Sequence, residues 1–599
     1  MSPPAHPVVV AATAAGHRLA DDLAVHLGGT VDASRPAEAV DRAWARTHAL
    51  VLVMATGAAT RLIAPHLADK RTDPAVVVVD DAARFAVALT GGHEAGANAL
   101  AESVAAHVGA TPVVTTASEA AGMPSLSDLG SRFGLRAEGE LAAVGRHVLD
   151  GGSVRVVRDA PWPLGPVPAP ITDAPDAPLL HVTDREEPAG PAIGPAPADR
   201  PDAPLPPTVR YRPPSLVVGI GASRGAAAEE IGALVDAALA DAGLSPSAVH
   251  TAATVDAKAD EAGLVEAATA RGWRLACLPA ERLAAIEVPN PSPVVRDAVG
   301  TPSVAEAAAL HLGGDLLVTK RRSAMATVAI ARRPARGRLA LVSLGPGADD
   351  LTTPRARDEL AAAEVVIGYG PYVDQAANAT SRGVRLERFR LGEEVVRAER
   401  AIALARAGRA VALVGSGDVG VYAMASPTLE RAGADIEVVV VPGVTASLAT
   451  AALLGAPLGH DHVTISLSDL LTPWELIRER VEAAARADLA VAFYNPRSRQ
   501  RDWQLGRARQ LLLAHRPPDT PVGIVQDADR PGQSVVVTTL GDLDVSLVQM
   551  TTVVLVGSSR TRVVAGRLVT PRGYVADTPG AEGPTTPELP RELRREVTR

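Results

Sequence analysis

Residues 410–473 read AVALVGSGDVGVYAMASPTLERAGADIEVVVVPGVTASLATAALLGAPLGHDHVTISLSDLLTP. An apolar run from Val411 to Val414 breaks into glycines around Asp418. A second, from Ile436 to Val441, breaks into Pro442-Gly443 ahead of an alanine-rich helix. Continuous apolar runs that end this way are strands buried on both faces, each opening into a tight polar loop. In an open α/β sheet a ligand sits beyond the carboxyl ends of the strands, where glycines admit a close backbone approach and a carboxylate such as Asp418 accepts hydrogen bonds. An ordinary strand-to-helix turn has the same pattern.

A third loop narrows the choice. Leu339 to Gly347, LALVSLGPG, runs into Gly345-Pro346-Gly347, followed by Asp349, Asp350 and a helix beginning near Pro354. No Gly-Lys-Ser/Thr follows, so it is not a phosphate loop, and the third glycine of a dinucleotide fingerprint is missing. The order GPG, SGD-x-G-x-Y, PGVTAS, FYNPRS (Phe493 to Ser498) and TPRGY (Thr570 to Tyr574) resembles the tetrapyrrole methylases, the class III S-adenosylmethionine enzymes. More narrowly, HDHVTISLSDLLTPWE and YNPRSRQR are similar to the precorrin-3B C(17)-methyltransferases of cobalamin synthesis. Val419 departs from the family's usual proline, and GSSRT (Gly557 to Thr561) from its usual GNS.

This resemblance implies a two-lobed methylase fold over 338–578, with S-adenosylmethionine held by the loops Gly345-Pro346-Gly347, Gly417-Asp418-Val419 and Thr445-Ala446-Ser447. It makes Tyr422, Met424, Tyr494 and Asn495 pocket walls. Arg497, Arg499 and Arg501 suit a polycarboxylate macrocycle, or form a solvated helix start. The family's methylases are commonly dimers, so a homodimer through this domain is expected.

The 599 residues are 47% hydrophobic and 21% charged, enough for several domains with cores of their own. MSPPAHPVVV has no basic leader and runs directly into a strand, and no apolar stretch reaches the roughly 18 residues of a membrane span. A cytoplasmic protein without a membrane partner is expected. Net charge −9 and 3% aromatics argue against nucleic acid. Cys277, the sole cysteine, excludes disulfides and cysteine-ligated clusters and reads as a buried small hydrophobe; no metal site is expected.

Residues 1–124 alternate strand and helix signals (VVVAAT, ALVLV, AVVVV, FAVALT, PVVTT), as a compact α/β unit with a mostly parallel sheet does. Thr90-Gly91-Gly92-His93-Glu94 precedes a helix, where His93 and Glu94 are placed either for proton transfer or as a turn cap and a first-turn acid. Residues 125–214 carry one helix, Leu141 to Leu149, a short strand from Val154, and then a Pro/Ala/Asp-rich passage expected to be an extended linker. Residues 215–334 form a second α/β unit. Gly219, Gly221 and Gly225 only superficially meet a dinucleotide pattern, since no acid ends a second strand at the expected distance. Residues 579–599 read as a disordered tail.

The stretches LIAPHLADKRTDPAVVVVDDAARFAVALTGGHEAGANALAESVAAHVGATPVVTTAS and GIGASRGAAAEEI, VDAKADEAGL, NPSPVVRDAVGTPSVAEAAAL and TKRRSAMATVAIAR are similar to the two ends of cobalt-precorrin-5A hydrolase. His93 matches that family; Glu94-Ala95 replaces its apolar residue and glycine. The two resemblances imply one pathway: a methylation that contracts the ring and forms a lactone, and a hydrolysis that opens the lactone with loss of acetaldehyde. They imply a precorrin substrate, with or without cobalt; lactone opening needs a general base near a cationic or N–H-rich loop, which points to His93 and Lys258, expected to meet in a cleft between the two N-terminal units. A binding module in place of the hydrolase is the alternative.

Overall fold

Buried parallel strands account for most of the architecture. The computed structural model describes residues 7–69, 72–92, 95–115, 123, 125–186, 206–334, 337–498 and 501–573. In the first unit, strands Val8–Ala11, Ala49–Val53 and Ala75–Val79 run parallel at the centre of a six-stranded sheet, and the last two are buried at every position. One antiparallel pairing, Phe85–Thr90 on Ala75–Val79, makes the sheet mixed.

The expected linker is a folded unit over its described residues. Strands Arg136–Gly139, Arg155–Arg158, Leu179–Val182 and Thr208–Arg212 form a four-stranded sheet under the helix Leu141–Leu149. Its core gathers Trp162, Leu164, Val167, Leu180, Val182 and Tyr211. Averaged composition hid this core, because residues 159–178 carry seven prolines while Trp162, Leu164 and Val167 among them turn inward. Residues 187–205 and the tail 579–599 lie outside the described residues.

In the next unit, Leu216–Ala222, Val249–Val255 and Arg274–Leu278 are parallel, and two antiparallel strands, Asp315–Arg322 and Ala326–Arg332, complete the sheet. Gly219 lies inside the first strand, where a Cβ would fall on the Ala305 carbonyl oxygen. It serves the close approach of helix Val304–Leu312 to the sheet, which explains the false dinucleotide pattern. Cys277 is exposed, contrary to expectation, because Arg274–Leu278 is an edge strand.

The middle sheet is fastened to both neighbours. Asp184, fully buried, pairs with Arg332 at 2.7 Å and accepts from Ser215 Oγ at 2.8 Å. On the other side Glu364 pairs with Arg158 at 2.6 Å and with Arg409 at 2.8 Å, and accepts from the Leu164 amide at 3.1 Å. Buried charges persist only when paired and hydrogen-bonded in this way.

The last part has two lobes. The first is a wholly parallel sheet in the order Arg385–Phe389, Val365–Tyr369, Ala410–Gly415, Arg338–Ser343, Glu437–Val441. Apolar clusters cover both faces, Leu339, Leu341 and Leu413 on one and Ala340, Val342 and Val414 on the other. The second lobe is a mixed five-stranded sheet of His462–Ser466, Ala490–Tyr494, Thr552–Val556, Pro521–Gln526 and Ser534–Thr539. Among the described residues no helix is long and apolar enough to cross a membrane.

Candidate ligand site between the two lobes

Sheet order brings the three glycine loops together. Arg338–Ser343 lies between Ala410–Gly415 and Glu437–Val441, so the loops after these strands leave the same edge side by side. Gly345 and Gly417 pair in both directions, Gly345 N to Gly417 O at 3.1 Å and Gly417 N to Gly345 O at 2.7 Å. Gly443 fits between them: a Cβ there would stand 2.5 Å from Ser343 Cβ and 2.6 Å from the Gly417 carbonyl oxygen. The glycines are therefore required for the loops to touch one another. Gly345 and Gly417 also have φ of +72° and +66°, which disfavour a side chain.

Asp418 ties two of these loops together. Its Oδ1 accepts from the Gly420 amide at 2.7 Å and its Oδ2 from the Gly443 amide at 3.0 Å. Ser343 Oγ, fully buried, accepts from the Val419 amide at 2.9 Å, a bond that the family's usual proline has no N–H to make. The Val419 and Met424 side chains are buried in the first-lobe core, and Met424 Sδ accepts from Arg397 at 3.5 Å. These two residues offer a ligand backbone groups rather than side chains.

The second lobe closes the other side. Tyr494 Oη lies 2.6 Å from Thr445 Oγ1 and accepts from the Ser447 amide at 2.8 Å, at the start of helix Ala446–Leu454. Tyr422 donates to the Thr464 carbonyl at 3.0 Å, and its ring lies 5.3 Å from that of Tyr494. Asn495 Nδ2 donates to Ser466 Oγ at 3.1 Å. Pro346 and Ala446 lie in the same loops. Of the arginines suggested for the macrocycle, Arg497 bonds to the Val545 carbonyl and Arg501 is buried against the Asn495 carbonyl, so both serve the fold, while Arg499 lies outside the described residues.

Arg530 was not singled out from the sequence. It crosses from the second lobe, its Nε donating to the Pro346 carbonyl and its Nη2 to Ser416 Oγ, each at 2.6 Å. A Cβ on Gly347 would fall on Arg530 Cγ, so this glycine leaves room for the arginine stem. Among the described residues, Tyr422, Asn495, Asp527 and Asp529 are four of the seven non-glycine residues with left-handed φ, and all lie on the segments around this cleft. Such strain collects at functional sites. The only sequence signal was the turn-forming cluster Asp527-Ala528-Asp529-Arg530-Pro531-Gly532.

In the N-terminal half, Lys258 follows the carboxyl end of Val249–Val255 and pairs with Glu261 at 3.2 Å. Glu261 in turn accepts from the Gly225 amide at 2.7 Å, so the pair joins two loops at one sheet edge. His93 and Glu94 lie outside the described residues, and the expected meeting of His93 with Lys258 lies outside them too. Glu306, missed in the sequence, is fully buried and accepts from Asn290 Nδ2 at 2.7 Å, Asn290 N at 3.1 Å and Lys320 N at 3.0 Å. Among the described residues no His, Cys, Asp and Glu grouping is placed to hold a metal ion.

Comparison with known proteins bears on both halves. Residues 338–544 match the model for Tetrapyrrole (Corrin/Porphyrin) Methylases, 38–119 that for Cobalamin synthesis G N-terminal, and 216–331 that for Cobalamin synthesis G C-terminus. The chain is 46% identical over 239 residues to a probable cobalt-factor III C(17)-methyltransferase of Salmonella typhimurium, covering 39% of this chain and 99% of that one. It is 42% identical to a precorrin-3B C(17)-methyltransferase of a Sinorhizobium species, covering 38% and 91%. A cobalt-factor III methyltransferase of Priestia megaterium is 43% identical, but the match spans only 45% of its length. Among solved structures, that of the methyltransferase CobJ is 42% identical over 39% of this chain and all of that one, with a TM-score of 0.38.

Proposed function

Because the chain belongs to the tetrapyrrole methylases, we propose that residues 338–578 transfer a methyl group from S-adenosylmethionine to C(17) of a precorrin-3-type macrocycle in cobalamin synthesis, with contraction of the ring. The observation that carries this reading is the meeting of the Gly345, Gly417 and Gly443 loops at one edge of a parallel sheet, faced by Tyr494 and Asn495 from the second lobe. Free backbone groups of these loops suit the amino-acid and adenosine ends of the donor, which supplies the methyl group when bound. The chain's own part is to hold donor and acceptor in line and to exclude water between two lobes. Asp418 and the Thr445–Tyr494–Ser447 contacts fix the loops beforehand, so little ordering is left for binding.

The halves 1–124 and 215–334 act, in the same proposal, on a later intermediate, opening its lactone by hydrolysis and releasing acetaldehyde, with His93 and Lys258 as the candidate residues. The Lys258–Glu261 pair favours a second reading, in which this half binds the macrocycle without chemistry: a lysine held in an ion pair positions an anion better than it accepts a proton. The working unit is a cytoplasmic homodimer through the methylase domain, and the substrate either carries cobalt or does not. The test is mass spectrometry of products from the full chain incubated with S-adenosylmethionine and precorrin-3-type substrates, with and without cobalt, and separately with the later lactone intermediate. Gain of one methyl supports the first activity, and acetaldehyde from the lactone the second. No methyl gain with either substrate form rejects the reading.

A further inference from the structure

Arg530 is a cation in search of an anion. Its guanidinium lies partly buried between two glycine loops, and its hydrogen bonds go to a carbonyl and a hydroxyl, both neutral. Among the described residues no carboxylate forms an ion pair with it. Close by, Arg397 is 4% exposed, and its Nε and Nη1 have no hydrogen-bond partner; only its Nη2 is used, by Glu394 at 2.9 Å and by Met424 Sδ. Both arginines act electrostatically on Tyr372. Arg530 Cζ lies 6.0 Å from the centre of that ring, and burial pushes the Tyr372 hydroxyl up while both arginines pull it down. A buried cation that lacks a counter-charge is costly, and a guanidinium presents a fork that matches a carboxylate.

We propose that Arg530, reaching across the cleft from the second lobe, is the seat for a carboxylate of the ligand. The inference rests on the methyltransferase reading and adds to it a specific binding residue. Two ligand carboxylates have this chemistry, the amino-acid end of the methyl donor and the acetate or propionate arms of the macrocycle. Gly347 has a defined part in the seat: it is glycine because the Arg530 stem passes over it. Gly347→Ala should therefore displace the arginine without removing its charge.

Two probes separate the sources. The full chain is titrated calorimetrically with S-adenosylhomocysteine, which keeps the donor carboxylate, and with uroporphyrin, a macrocycle bearing acetate and propionate arms. Arg530→Gln should weaken one probe about tenfold or more, the loss expected for a charge-assisted contact. Arg530→Lys should recover part of that loss, and Gly347→Ala should reproduce it. The difference between parent and Arg530→Gln should shrink as salt is raised, which a merely structural role would not produce. Loss confined to S-adenosylhomocysteine assigns the donor carboxylate; loss confined to uroporphyrin assigns the macrocycle. Parent-like affinity of Arg530→Gln for both probes overturns the inference while leaving the methyltransferase reading intact. Failure of the parent chain to bind S-adenosylhomocysteine at all overturns that reading instead.

Discussion

Replacing Asp418 by alanine removes both hydrogen bonds that join the SGD loop to itself and to the PGV loop. A hydrogen bond to a charged group contributes about 1.5–3 kcal/mol when buried. Asp418 is only partly buried, and solvent screening brings each bond down to about 1 kcal/mol. The two together give about 2 kcal/mol, or about a 30-fold loss of donor affinity if the loops must be ordered for binding. Asp418→Asn should fall between the parent and Asp418→Ala, because the amide keeps one acceptor oxygen while its nitrogen faces an N–H. Calorimetry with S-adenosylhomocysteine measures the affinities, and hydrogen exchange at the Gly420 and Gly443 amides reports the loops directly. Both amides should exchange faster in the unliganded variant. An unchanged dissociation constant would make Asp418 a simple turn residue. Weaker binding with unchanged exchange would refute the idea that it acts by joining the loops and would place it on the ligand.

Arg158→Ala should destabilise the methylase part by about 2–3 kcal/mol, less than the about 3–5 kcal/mol for breaking a buried pair, because Arg409 remains on Glu364; denaturant unfolding at the parent midpoint would sink this. His181, 1% exposed beside Asp159, has its pKa lowered by burial, so its neutral form belongs to the folded state. The corresponding stability is present above about pH 6.5, the unfolded value, and is lost as pH falls through the lower folded one. Unfolding of the middle sheet, followed between pH 7 and 5, should show this slope, and His181→Gln should flatten it.

Much of the fold was legible because buried parallel strands write themselves as unbroken apolar runs, ALVLV at 49–53, AVVVV at 75–79 and VALVG at 411–415. The glycine loops were legible for the same reason, since each follows such a run. Their internal bonding was not. Asp418 reaches an amide 25 residues away, and Arg530 reaches partners 184 and 114 residues away, distances at which spacing has no meaning. The middle unit was misread because composition was averaged over a segment in which Leu164, Leu179, Leu180 and Val182 are buried among prolines. Glu306 was missed because its partners Asn290 and Lys320, on a loop and a strand, stand 16 and 14 residues away.

The fastening of the middle sheet by Asp184–Arg332 on one side and Glu364–Arg158 on the other bears on how an intermediate travels. A swinging arm needs a joint, and these buried pairs occupy the places where one would be. On the proposed two-activity reading, an intermediate leaving one half is then not carried to the other by the chain itself. It crosses through solvent, where an excess of a competing tetrapyrrole-binding protein added to the reaction would intercept it.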